Sequence, residues 1–118
     1  MSFRYLWLDL HRRAVEIGPL DDGSYVYFAD TFIQCHKIPE GNVEVQLKVE
    51  GGVSLCEIPL SPSGEIQRYL EVLIDEEYGI VQVISIELKA KERIDEEKLK
   101  EEVKSAEEEV REACLSSH

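Results

Sequence analysis

The sequence predicts an α+β domain: an antiparallel β-meander of five to six strands, one helix between the last two strands, and a C-terminal amphipathic helix. Two observations carry this. Three turn signals, Asp22-Gly23, Pro39-Glu40-Gly41-Asn42 and Gly51-Gly52, separate runs rich in β-branched and aromatic residues, the pattern of successive hairpins. Near the end, Leu99, Val103, Ala106, Val110 and Ala113 recur at alternating spacings of four and three, which places them on one helical stripe.

The strands follow from these turns. Val43, Val45, Leu47 and Val49 alternate with Glu44, Gln46 and Lys48, so one face is apolar and the other polar. Strands are placed around it near 3–9, 13–20, 24–38 and 53–60. The stretch from Pro59 to Gly64 breaks the pattern. After it, Ile66, Tyr69, Leu70, Leu73 and Ile74 fit helical spacing, with Ser63 as N-cap and Gly79 as stop, so a helix is expected over about 64–77. The competing reading is a strand that ends in a hairpin at Glu76 to Gly79; the helical template accounts for more of the apolar positions. Ile80 to Ala90 reads as a strand with Ile84, Ile86, Leu88 and Ala90 on one face. Asp95 caps the final helix, about 95–114, and 115–118 is a frayed tail.

Composition bounds the function. A chain of 118 residues with 43% hydrophobic residues fits one domain, 1–118, whose core needs neither disulfide nor metal. A net charge of -12 and a pI near 4.6 repel phosphate backbones and argue against nucleic acid as a partner. Three cysteines are too few and uneven for a secreted disulfide scaffold, and no apolar run approaches a signal or membrane segment, so a cytoplasmic location without membrane contact is expected. Lys and Glu abound while Asn42 is the sole asparagine and Met1 the sole methionine, a thermophile-like bias. Calorimetry is accordingly expected to give a melting temperature above about 60 °C, the upper range of mesophilic domains.

No phosphate loop, paired CxxC, HExxH, GxSxG or dinucleotide fingerprint is present, and no cofactor is expected. The turn positions place His11, Gln34, Leu47 and Cys56 side by side, with His36 beside Val45 and Arg13 beside Phe32, while Cys35 falls on the opposite face. His36 and Cys56 then stand two strands apart, too far for a shared zinc, so no metal site is expected. His11, Arg13, Gln34 and His36 form the one site-like group, a polar patch on an otherwise apolar face. Two readings follow from different features. The first is a non-catalytic homodimerising or protein-interaction module: strand 3–9 is apolar on both faces, with Phe3, Tyr5 and Trp7 alternating with Leu6 and Leu8, and the stripe Leu99, Val103, Ala106 and Val110 offers a second apolar surface. That stripe either docks on its own sheet, which needs one covering layer, or pairs across a dimer. The second reading is a small-ligand or anion-binding face, open to acid-base chemistry, built on His11, Arg13, Gln34 and His36.

Overall fold

The computed structural model describes residues 2–35, 45–49, 53–75 and 80–116. Among them run seven strands and one helix: β1 Ser2–Trp7, β2 Arg13–Gly18, β3 Tyr25–Cys35, β4 Val45–Val49, β5 Val53–Pro59, β6 Gln67–Asp75, β7 Ile80–Ala90 and α1 Glu96–Ser116. The strands form one antiparallel sheet in the order β1-β2-β3-β7-β6-β5-β4. Two meanders, β1 to β3 and β4 to β7, are therefore joined through their last strands. The hairpin expected between β3 and β4 does not form. Their connection falls at 36–44, outside the described residues, and β3 pairs with β7 instead.

The segment expected as a helix over 64–77 is strand β6, and the helix lies after the last strand. Its burial alternates with period two: Arg68, Leu70 and Val72 are buried while Gln67, Tyr69 and Glu71 are not. Paired with β5 on one side and β7 on the other, β6 is central, and Tyr69 and Leu73 of its open face adjoin Leu70, Val72 and Ile74 of the other in sequence. A strand of that kind gives a nearly continuous apolar run, which a helical template fits equally well. The hairpin at 76–79 lies outside the described residues.

A kink crosses the sheet's centre. β3 carries Thr31 and Phe32, and β7 carries Ile84, where the register between Asp30↔Ser85 and Ile33↔Val83 shifts; β6 shifts beside it, from Glu71↔Ser85 to Val72↔Val83. The extra residue turns Ile84 out of the alternation, so Val81, Val83, Ile86, Leu88 and Ala90 are the buried set.

α1 covers one face. Asp95 is its N-cap, with its Oδ1 accepting from the Lys98 amide at 2.9 Å, and Glu96 and Glu97 complement the positive end of the helix dipole. Leu99, Val103 and Ala106 at 0% exposure and Val110 at 1% join a core that includes Ile58, Leu70, Val83, Ile86 and Leu88. Polar clamps fix the helix at both flanks. Arg68 donates through Nε to the Ser61 carbonyl and through Nη2 to Glu109 Oε2, each at 2.7 Å. Glu107 accepts from Arg12 at 3.0 Å and from Thr31 Oγ1 at 3.1 Å. The helix stripe is thus internal, and the alternative of pairing across a dimer is not the role these side chains have.

A second buried polar unit locks the start of the helix to the sheet. The Tyr27 hydroxyl donates to Glu16 Oε2 at 2.8 Å and accepts from the Ile94 amide at 2.9 Å. Burial, reinforced by the Glu16 carboxylate and opposed by the Ile94 hydrogen bond, pushes the Tyr27 phenol up to about 12. Arg4 at 3.3 Å and Arg93 at 3.6 Å balance the Glu16 charge from the rim.

Candidate functional site

The sheet has two faces and one covering helix. The face opposite α1 carries residues that alternate with the core set, and the strand pairings arrange them in rows. One row runs Trp7, Arg13, Asp30, Ser85, Glu71 and Glu57, with the Arg13 to Asp30 step made by an ion pair at 3.4 Å. The next runs Tyr5, Val15, Phe28, Glu87, Tyr69 and Pro59. A third runs Phe3, Ile17, Val26, Lys89 and Gln67.

The β1 side of this face is apolar and uncovered. Phe3, Tyr5 and Trp7 are 60%, 59% and 64% exposed, and Phe32 projects from the kink at 71%. Val15, Ile17, Val26 and Phe28 lie half-buried beside them. Phe3 and Tyr5 meet edge to face with centroids 5.1 Å apart, and the Arg13 guanidinium lies 5.7 Å from the Tyr5 ring centre.

The β5 to β7 side is acidic. Glu87 is only 6% exposed, although it stands on the uncovered face, because its cross-strand neighbours Phe28 and Tyr69 enclose it. The Lys89 ammonium lies over the Tyr69 ring at 4.9 Å and 4.0 Å from Glu87 Oε1. Glu87 Oε2 and Ser85 Oγ are buried without a hydrogen-bond partner. Burial pushes Glu87 up to about 7, with the Glu57 and Glu71 carboxylates adding to the shift and Lys89 opposing it. Glu71 is raised by burial and by Glu57.

Of the four residues expected as a ligand site, the three that are described, His11, Arg13 and Gln34, stand apart. Arg13 and Gln34 do lie on the open face, but Arg13 engages Asp30 while Gln34 pairs with Gln82 further along β3. His11 is exposed on the turn between β1 and β2, where its amide donates to Asp9 Oδ1 at 2.8 Å and thereby holds Asp9 below the ordinary carboxyl value. His36 lies outside the described residues. Leu47 pairs with Leu55 rather than Cys56, one residue from the expected register, and Cys56 is buried in the core. Cys35 and Cys56 stand three strands apart, roughly 14 Å at the usual strand spacing, beyond disulfide reach.

His11 lines a cleft of about 690 Å³ with Arg12, Thr31, Phe32, Glu107 and Arg111. Three of its polar groups face Glu107: Arg12 and Thr31, which tie the helix to the sheet, and Arg111 at 3.9 Å within the helix itself. Among the described residues no three His, Cys, Asp or Glu side chains gather as a metal-holding group, and no described helix is long and apolar enough to cross a membrane.

Of the residues expected to form an interface, Trp7 stands on the open face and Leu99, Val103, Ala106 and Val110 are in the core. Sequence reasoning missed Glu57, Glu71, Ser85 and Glu87. Each sits at the polar phase of its strand, which was legible, but their convergence depends on β7 lying between β3 and β6. Comparison with known proteins adds no further assignment: no protein-family model matches the chain, and neither the curated proteins nor the solved structures gave a match.

Proposed function

We propose that this chain is a non-catalytic association module that pairs with a second copy of itself through the open face of its sheet. One observation carries the reading: three aromatic rings on β1, each more than half exposed, continue into half-buried Val15, Ile17, Val26 and Phe28 on a face that no element of the described chain covers. Aromatic side chains bury roughly 150–250 Å² each, so the three rings alone leave on the order of 300–450 Å² of aromatic surface in water. That matches the largest apolar patches tolerated on monomers before the half-buried neighbours are added. Covering the rings at about 25 cal/mol per Å² returns roughly 7–11 kcal/mol before the cost of association. The cleft at His11 lacks comparable support for ligand binding, because Arg12 and Thr31 in it already bind Glu107 of the helix.

Light scattering near 100 μM is expected to give a dimer mass, since even a micromolar complex is largely assembled at that concentration. Trp7 is the sole tryptophan, so its emission should shift to the blue as the concentration rises. Trp7→Asp, at an exposed position, should leave the fold intact and give a monomer mass. A monomeric wild-type chain with concentration-independent emission would refute the reading.

A further inference from the structure

The open face is chemically lopsided across its width, and its halves are complementary. In the row Trp7, Arg13, Asp30, Ser85, Glu71 and Glu57, the ring and the cation stand at one end and two carboxylates at the other. Ser85 Oγ in that row is buried without a hydrogen-bond partner on a face that no described element covers. Native structures rarely leave such an atom unsatisfied, and it points to a group that arrives from outside the chain.

Building on the self-association just described, we propose that the second copy lies face to face on the first, turned about a two-fold axis parallel to the strands at the β3–β7 seam. Arg13 of each copy then pairs with Glu71 of the other. Two copies in face-to-face contact can share a two-fold axis either along the strands or across them. An axis across the strands sets each strand over its own copy, and on this row it sets Arg13 over Arg13, Glu71 over Glu71 and Glu57 over Glu57, which gathers like charges in a desolvated contact. An axis along the strands at the seam sets β1 over β5, β2 over β6 and β3 over β7. It keeps each residue's position along its strand, so the row meets its own reverse: Arg13 over Glu71, Asp30 over the Ser85 hydroxyl, Trp7 over Glu57.

Each of these couples joins a donor to an acceptor. The guanidinium donates to the Glu71 carboxylate, Ser85 Oγ donates to Asp30, and the indole N–H donates to Glu57. Packed sheets lie about 10 Å apart, a gap that an arginine and a glutamate span between them. The seam is also where the two meanders join, so strands flank the axis on both sides and the aromatic half of each copy is covered by the other.

Charge exchange tests this arrangement. Arg13→Glu and Glu71→Arg should each weaken self-association by at least tenfold, because each homodimer then opposes like charges. An equimolar mixture of the two should form a mixed dimer, resolved by its mass in native mass spectrometry, since both contacts in that pair are again opposite in sign. Far-UV circular dichroism confirms that each variant is folded. The milder pair Arg13→Gln and Glu71→Gln, which removes attraction without adding repulsion, should show a smaller loss and a partial recovery on mixing, since the mixed pair keeps one Arg13–Glu71 contact. If both charge variants remain dimeric, or both become monomeric with no mixed dimer, the arrangement is wrong while association through the face stands. If the wild-type chain is itself monomeric, the association reading fails and this one fails with it.

Discussion

Replacing Val103 by Asp is expected to unfold the chain. Val103 is fully buried at the middle of the α1 stripe, between Leu99 and Ala106, in the core shared with the sheet. The substitution deletes apolar contacts and puts a carboxylate in the buried core. A lost buried side chain costs about 1–3 kcal/mol and an uncompensated buried charge several more, so a total above about 4 kcal/mol is expected. Small domains are stable by about 5–15 kcal/mol, so little or nothing remains. Val110→Asp should behave alike, and Leu99→Ala should cost about 2–5 kcal/mol through the cavity it leaves. Lys104→Asp, one residue along on the exposed side, should change stability by no more than about 0.5 kcal/mol. Urea titration followed by far-UV circular dichroism reads all four. A folded Val103→Asp chain of monomer mass would instead place the stripe between chains and overturn the internal docking.

The elements legible in the sequence were those that local chemistry specifies. Asp95 announced the start of α1 because an N-cap needs only the amide three residues on, and the stripe 99/103/106/110 named the buried face because helical periodicity is local too. Turn signals found the strands but not their partners. The loop between β2 and β3 is longer than the Asp22-Gly23 pair suggests: the Leu20 amide donates to the Ser24 carbonyl, and the Gly23 amide to that of Leu20. Ala14 therefore faces Ala29, a register displaced by two residues. A displacement of two preserves which face each residue occupies, so Arg13 was assigned to the correct face but to Phe32 in place of Asp30. The slip of one between β4 and β5 did not preserve it, and that parted Cys56 from Leu47. The insertion of β7 beside β3 had no local signal, because a pairing between residues some fifty apart in sequence is decided by the whole sheet; with it went the carboxylate group of the open face. β6 was misread for a related reason: Tyr69 and Leu73 on its open face sit next to Leu70, Val72 and Ile74 in sequence and blur the alternation that marks a strand.

Glu87→Gln is expected to stabilise the chain at pH 8 and to do little at pH 5. The burial that raises Glu87 to about 7 in the folded chain is absent in the unfolded one, where its ordinary value is 4.5. Folding therefore favours the protonated form. The contribution is present in full below 4.5, declines as pH rises, and is lost above about 7, where the folded chain must hold an ionised carboxylate in a poorly solvated place. The groups around it explain why the charge is not compensated: Glu57 from β5 and Glu71 from β6 repel it, Tyr69 and Phe28 enclose it, and Lys89 is its one cation at 4.0 Å, drawn also to the Tyr69 ring. Gln keeps the volume and removes the titration, so the variant should gain on the order of 1–3 kcal/mol at pH 8 and close to nothing at pH 5. The measurement is urea unfolding at both pH values in dilute solution, where the open face is bare. Equal gains at the two pH values would trace the effect to packing, and no gain at pH 8 would show that the charge is already balanced. The comparison also bears on function. A surface glutamate would relieve this cost by turning to water; Glu87 is walled in, with Oε2 unpartnered, and Glu71 beside it opposes the Arg13 of a second copy in the proposed assembly. If the variant is more stable alone yet dimerises less well, the destabilising carboxylate is part of the surface that receives the partner.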